Sequence, residues 1–307
     1  METVIETRAL TKRFGERAAV DGVDLVVPAG TAFGFLGPNG AGKTTLIRTL
    51  LGLTHPSSGD VSLLGLPQPA KRVEALARVG AIVEEPKFHP HLTGRENLKI
   101  VAAARDGSAE ARIPASLERV GLAQRADDRV KTYSLGMRQR LGIARCLLAD
   151  PALLILDEPM NGLDPAGILE VRHLIRAFVA EGRTVFLSSH LLDEVEKTCD
   201  QIAIVDRGRI IVQGPVGEIA ATGRPTVLIE IDDSAAAHGL FAADARVTNI
   251  EEEGAGALRL TLGDGLAPAE INRLLVGAGI AVSRLEPARA TLEETFLAIT
   301  SRLEASE

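Results

Sequence analysis

Two clusters of residues could do chemistry. The first is Gly37-Pro38-Asn39-Gly40-Ala41-Gly42-Lys43-Thr44, a glycine-rich loop closed by a lysine and a hydroxyl, with Thr45 opening the next segment. This spacing is that of a phosphate-binding loop. Its glycines let backbone N–H groups turn toward a β-phosphate, and the helix that follows adds the positive end of its dipole. Lys43 would reach the β- and γ-phosphates, and the Thr44 hydroxyl would ligate Mg²⁺. The second cluster is Asp157-Glu158, at the end of the apolar run Leu153-Leu154-Ile155-Leu156. A buried strand would deliver Asp157 to the Mg²⁺ shell and Glu158 to an attacking water. Successive side chains of an extended segment point to different sides, so the two carboxylates can take separate roles.

Such residues need a sheet to hold them, and the chain supplies one. Strands are expected at 31–36, 153–156 and 184–188, each short, apolar and bounded by Gly, Pro, Asp or His. A helix follows the phosphate loop over 45–53. Between the last two strands, Ile168, Val171, Leu174, Ile175 and Phe178 fall on one helical face. The segments 202–205 and 209–212 flank Arg207-Gly208 and read as a hairpin. Residues 86–150 are richer in helical pattern and read as an insertion. The fold class is α/β, a P-loop NTPase core with a helical subdomain.

The pattern breaks at Ala220-Ala221-Thr222-Gly223-Arg224-Pro225, which reads as a linker between a phosphate-loop domain at 1–222 and an accessory domain at 226–307. Beyond it come a strand (226–232), a helix (234–243), a strand pair around Gly254-Ala255-Gly256, a helix (268–277), a strand (280–286) and a closing helix (292–303). That order is ferredoxin-like, a small α+β domain.

Composition narrows the function classes. A chain of 307 residues fits about two domains, and 46% apolar with 24% charged residues is ordinary for globular proteins. Eight Phe, one Tyr and no Trp argue against a stacking surface for single-stranded nucleic acid. A net charge of −7 argues against a general phosphate-backbone binder, so no nucleic-acid partner is expected. The longest uncharged run, 25–42, is broken by Pro28, Gly30, Gly34, Gly37 and Pro38, so no span is expected. The acidic start lacks the form of a signal peptide, and the protein is expected to be soluble and cytoplasmic. Cys146 and Cys199 are expected to be small buried hydrophobes rather than a disulfide or zinc pair.

Tyr133-Ser134-Leu135-Gly136-Met137, followed by Arg138-Gln139-Arg140, resembles the Leu-Ser-Gly-Gly-Gln signature of ABC transporter ATP-binding subunits. Ser134 and Gly136 match, whereas Leu135 and Met137 depart. The resemblance implies that ATP and Mg²⁺ bind and that Ser134 and Gly136 meet the γ-phosphate held by a second, identical subunit. It also implies that Phe14 stacks on adenine, that Asn161-Gly162-Leu163-Asp164 is the D-loop and that His190 contacts the γ-phosphate. Glu84 stands where the family usually has a metal-facing glutamine, which adds a negative charge near Mg²⁺. An integral membrane permease is the implied partner, received at Lys87-Phe88-His89-Pro90, and it would hold the subunit on the inner face of the membrane. Glu84-Glu85-Pro86, the signature segment and residues 290–297 look like the drug and bacteriocin efflux branch, as in bacitracin-type resistance. A soluble ABC-type ATPase acting on ribosomes or nucleic acid is the alternative, although paired modules, coiled coils and zinc cysteines are missing. A nucleotide kinase or GTPase would leave the signature and His190 unexplained. Asp193-Glu194-Val195-Glu196 is expected to be a solvated helix face.

Overall fold

The computed structural model describes residues 2–105, 107–221, 225–254, 256–263, 265–288, 292–293 and 295–296. The chain divides into two compact units, Met1–Pro215 and Val216–Glu307.

The first unit opens with β1 (Thr3–Phe14) and β2 (Arg17–Pro28), a long antiparallel pair. β3 (Ala32–Leu36) leads through the glycine-rich loop into α1 (Lys43–Leu50). β4 (Ser58–Leu63) and β5 (Leu66–Pro67) complete an antiparallel sheet in the order β2-β1-β4-β5. Next come α2 (Arg72–Ala77) and β6 (Val79–Ile82), then the helices α3 (Gly94–Ala103), α4 (Ile113–Arg119) and α5 (Leu135–Leu147). The unit ends with β7 (Leu153–Leu156), α6 (Pro165–Ala180), β8 (Thr184–Ser189), α7 (Leu192–Thr198), β9 (Gln201–Asp206) and β10 (Arg209–Pro215). The second sheet has the order β10-β9-β3-β8-β7-β6, parallel except at the β10 edge.

Every residue of β3, β7 and β8 is buried, the condition of parallel strands covered on both faces. That is why these strands read as continuous apolar runs. The few aromatics concentrate here: the Phe186 ring lies 5.8 Å from both Phe33 and Phe35. The carboxyl ends of these strands all feed the candidate site, the usual placement in open α/β sheets. β3 runs into the phosphate loop, β7 into Asp157-Glu158, β8 into His190 and β6 into Glu84. Between β6 and β7 the helical insertion is present, and Thr93 and Glu96 start α3 with a reciprocal capping box.

The second unit contains α8 (Val216–Ala221), β11 (Thr226–Ile231), α9 (Ser234–Ala242), β12 (Val247–Glu252), β13 (Ala257–Leu262), α10 (Pro268–Gly277) and β14 (Val282–Ala288). Its sheet has the order β12-β13-β11-β14 and every pairing is antiparallel. The first strand therefore lies between the third and the fourth, which is ferredoxin-like. Val227, Ile229, Phe241, Leu258, Leu260, Ile271 and Leu275 form its core.

Two expectations change, and others fall outside the described residues. Ala220 and Ala221 are the end of α8, not linker, and 222–224 lie outside the described residues. Ala255 and most of the closing helix at 292–303 also lie outside them. Asp193-Glu194-Val195-Glu196 is not simply a solvated face: Glu194, 17% exposed, pairs with Arg172 of α6. Val195, beside it, is fully buried. Among the described residues, no helix is long and apolar enough to cross a membrane. Cys146 and Cys199 are free and buried, and burial pushes the Cys146 thiol up to about 11 and Cys199 up as well.

Candidate functional site

The phosphate loop is shaped by close backbone approach. Gly42 has φ +105, and a Cβ there would lie 2.1 Å from the Ala19 carbonyl oxygen. At Gly37 a Cβ would lie 2.3 Å from the Val205 carbonyl oxygen. Only glycine fits either place. The loop ends at the amino terminus of α1, whose first N–H groups stay open for an anion because Gly42 offers no side-chain cap.

Lys43 is 6% exposed and its ammonium is already in use. Nζ donates to the carbonyls of Gly37 (2.6 Å) and Pro38 (3.3 Å) and lies 3.2 Å from Glu158 Oε1. The other Glu158 oxygen, Oε2, lies 2.8 Å from His190 Nδ1. Glu158 therefore joins the phosphate-loop lysine to the residue at the end of β8. Its backbone is left-handed, with φ +47, a conformation that costs a non-glycine residue of order 1–3 kcal/mol. The turn is pinned by a hydrogen bond from Glu158 N–H to the Ser188 hydroxyl (2.9 Å). That hydroxyl in turn donates to Asp157 Oδ1 (2.6 Å).

An open cleft of about 410 Å³ is lined by Phe14, Arg17, Ala19, Pro38, Asn39, Gly40, Gly42, Lys43, Thr44, Thr45 and Glu158. Phe14 is 56% exposed at its rim, so it is not a buried strand-end phenylalanine. The Lys12 ammonium lies 5.0 Å from its ring centre. Gly37 lies against Val205, and Ala41 is buried. A second cleft, about 260 Å³, is lined by Glu84, Glu85, Leu135, Gln139, Asp157, Glu158, Asn161 and Gly162. Ser134 and Gly136 line neither cleft. Ser134 caps α5, accepting from Met137 N–H at 3.2 Å. Leu135 turns toward the D-loop, where a Cβ at Gly162 would come within 3.1 Å of its methyl.

The residues fit a hard divalent cation. Asp157 is 3% exposed, and among the described residues no hydrogen bond reaches its Oδ2. The Thr44 hydroxyl supplies another oxygen at the same end of the sheet. Magnesium is commonly held by one or two protein oxygens together with substrate phosphates. Glu84 lines the second cleft with Asp157, and its carboxylate lies 2.6 Å from the Arg48 guanidinium. Lys43 faces Glu158, and Arg48, five residues further along α1, is the cation beside Glu84.

Sequence reasoning missed three residues here. Arg17 lines the cleft and donates to the Gly40 carbonyl at 3.2 Å, with nothing in its spacing to mark it. Arg48 carried no motif. Ser188 did carry a signal, as one of three hydroxyl residues, with Thr184 and Ser189, in a strand buried throughout.

Comparison with known proteins agrees with this geometry. Residues 20–161 match the family model described as ABC transporter. The chain is 40% identical over 298 residues to the bacitracin transport ATP-binding protein BcrA of Bacillus licheniformis, covering 97% of each. It is 37% identical to the Nod factor export ATP-binding protein I of Burkholderia lata, again over 97% of each. A solved structure of an ATP-binding subunit of an ABC transporter matches with a TM-score of 0.64 at 30% identity, over 71% of this chain and 92% of that one. With a phosphate loop, an acidic strand end and a signature helix in one fold, and relatives alike along nearly their whole length, this chain belongs to the ATP-binding subunits of ABC transporters.

Proposed function

We propose that the chain hydrolyses ATP to drive a separate integral membrane permease, and that the permease exports a drug, a peptide antibiotic or another amphipathic compound. The observation that carries hydrolysis is Glu158, held between Lys43 and His190 on the wall of the phosphate-loop cleft. Glu158 would take the proton of a water whose oxygen attacks the γ-phosphorus. The bond from that phosphorus to the β–γ bridging oxygen breaks, releasing ADP and phosphate. Lys43, once transferred from Glu158 to the phosphates, and His190 would offset the charge on the moving phosphoryl group. Mg²⁺, held by Thr44 and Asp157, would neutralise the β- and γ-oxygens when bound, and Glu84 would have to leave Arg48 to join it. Phe14 would carry the adenine.

Two copies would sandwich two ATP molecules, each phosphate loop facing the other copy's Ser134 and Gly136. Gly136 supports this. A Cβ there would meet nothing closer than 3.8 Å, and alanine would favour the helix by about 1 kcal/mol. Among the described residues nothing requires glycine at that place, so its smallness suits an external contact. A groove lined by Lys87, Phe88, His89, Asn97, Ile100, Val101 and Arg145 would receive the permease, with Ile100 half exposed. The permease would hold the subunit on the inner face of the membrane, and residues 226–307 would act as an accessory domain. Export rather than import is favoured by the likeness to the Nod factor export ATP-binding protein named above. The test is ATPase activity of the chain with its reconstituted permease. Phosphate release no faster than that of Lys43→Ala would refute the proposal.

A further inference from the structure

Ser188 is fully buried at the carboxyl end of β8, where it pairs in register with Phe35 of β3. On its own strand it shares a face with Phe186, whose ring packs against Phe33 and Phe35. Alternation would place another apolar side chain at this position. Instead there is a hydroxyl, and its hydrogen-bonding capacity serves the two carboxylate residues at the neighbouring strand end. The hydrogen goes to Asp157 Oδ1 at 2.6 Å, and the oxygen accepts from Glu158 N–H at 2.9 Å.

Each bond has a separate consequence. Holding Oδ1 restrains the Asp157 carboxylate and leaves Oδ2 without a hydrogen bond among the described residues. Orienting a ligand in this way commonly changes metal affinity or activity by 10–100-fold. Accepting from Glu158 N–H anchors the one residue of this strand end in the left-handed region, with φ +47. That turn aims the Glu158 side chain at Lys43 and His190. The adjacent Ser189 has a different task, accepting from Leu191 N–H at 2.9 Å and so shaping the chain just past His190.

We propose that Ser188 is the positioning residue that couples the metal ligand Asp157 to the base Glu158, so that one buried hydroxyl sets the orientation of both. This rests on the roles given to Asp157 and Glu158 above. A hydroxyl that merely fills a polar gap in the core would affect folding without a selective effect on metal binding. A positioning hydroxyl would affect metal binding and turnover while leaving metal-free nucleotide binding intact.

The experiment compares the native chain with Ser188→Ala, Ser188→Thr, Asp157→Ala and the Ser188→Ala/Asp157→Ala double variant. Nucleotide affinity is measured in EDTA, and Mn²⁺ binding to the ATP complex is measured by electron paramagnetic resonance. Ser188→Ala should bind ATP in EDTA within twofold of native, bind Mn²⁺ in the ATP complex at least tenfold more weakly, and turn over 10–100-fold more slowly. Ser188→Thr, which keeps the hydroxyl, should recover most of the Mn²⁺ affinity. In the double variant Mn²⁺ binding should be no weaker than in Asp157→Ala, because the serine acts through the aspartate. Native Mn²⁺ affinity and turnover in Ser188→Ala would overturn the inference. So would an equal loss of nucleotide binding with and without metal, since that marks a structural role. Should Ser188→Thr melt early for want of space, Ser188→Ala and the double variant still decide. Failure of the underlying roles shows differently: Glu158→Gln would then hydrolyse ATP at the native rate, whatever Ser188→Ala does.

Discussion

Replacing Glu158 by glutamine tests the site most directly, because the same side chain both blocks and completes it. Glu158 Oε1 lies 3.2 Å from Lys43 Nζ, and both side chains are largely buried. At an effective dielectric of 20, two unit charges at that separation attract by about 5 kcal/mol. Desolvation offsets most of it, leaving about 1–2 kcal/mol, the net scale of a hydrogen bond to a charged group. ATP must overcome this attraction to claim Lys43, and its γ-phosphate must then lie beside the freed carboxylate. Glutamine keeps the shape and removes both costs. ATP affinity should therefore rise about 5–30-fold.

Turnover should fall at the same time by about 10²–10⁴-fold, the usual contribution of a positioned base. Tighter binding without hydrolysis should trap an ATP-bound dimer. Binding of a fluorescent ATP analogue measures the affinity, single-turnover phosphate release measures the chemistry, and gel filtration with Mg-ATP measures the dimer. Hydrolysis at the native rate would refute Glu158 as base. Abolished turnover with unchanged affinity would refute the idea that the Lys43–Glu158 pair opposes nucleotide binding.

The other expected outcomes are these. Mixing Lys43→Ala subunits with Ser134→Arg subunits should restore partial ATPase activity, because one of the two composite sites is then free of both changes. No recovery in a verified heterodimer would refute the shared site. A chain ending at Pro215, the end of the first compact unit, should still bind ATP within a few-fold of the full chain, as judged by equilibrium titration. Across a Mg²⁺ titration of ATP affinity, Arg48→Ala should steepen the dependence on metal while Glu84→Gln leaves it nearly native, because only the first frees a carboxylate beside the phosphates. Coincident curves for Arg48→Ala and native would show that Glu84 does not face them. The Cys146 thiol, raised to about 11 by burial, favours the folded state fully below the ordinary thiol value. That contribution should fade between about pH 9 and 11, where the unfolded thiol ionises first, and thermal melts of Cys146→Ala should lose that part of the alkaline decline.

The phosphate loop, Asp157-Glu158 and His190 were legible in the sequence because each is a polar break at the end of an apolar run. The parallel strands are buried on both faces, so the chain writes them as continuous apolar stretches. β1 was not legible, although it is twelve residues long. Its pairing with β2 is interrupted by register shifts between Thr7 and Leu10 and again beyond Leu10, which scramble the two-residue alternation. Ser188 and Arg48 were missed for another reason. Their importance lies in which charge or N–H group they meet, and those partners come from elements distant in the sequence. The ferredoxin-like order of the second unit was legible because its hairpin and helices follow one another locally.

The position of Glu84 has a physical account in the fold. Ile82 of β6 and Leu156 of β7 are register partners, and the glutamate two residues beyond each is left-handed, with φ +60 at Glu84 and +47 at Glu158. Neighbouring parallel strands thus end in the same turn, which places two carboxylates on one cleft. Each then needs a cation, and each has one from α1: Lys43 for Glu158, Arg48 for Glu84. Residues five apart on a helix are about 140° apart around its axis, so α1 can serve two strand ends at once. The Arg48–Glu84 pair is substantially exposed on both sides and stabilises the fold by no more than about 1 kcal/mol. Its consequence is electrostatic: glutamate brings a charge that glutamine would not, and arginine cancels it before any metal arrives. Glu85, next along, lies 3.4 Å from Arg138 on α5. Two successive carboxylates therefore tie one loop to the helix that follows the phosphate loop and to the helix that begins at the signature. A neutral glutamine at 84 could make hydrogen bonds but not the ionic half of that connection.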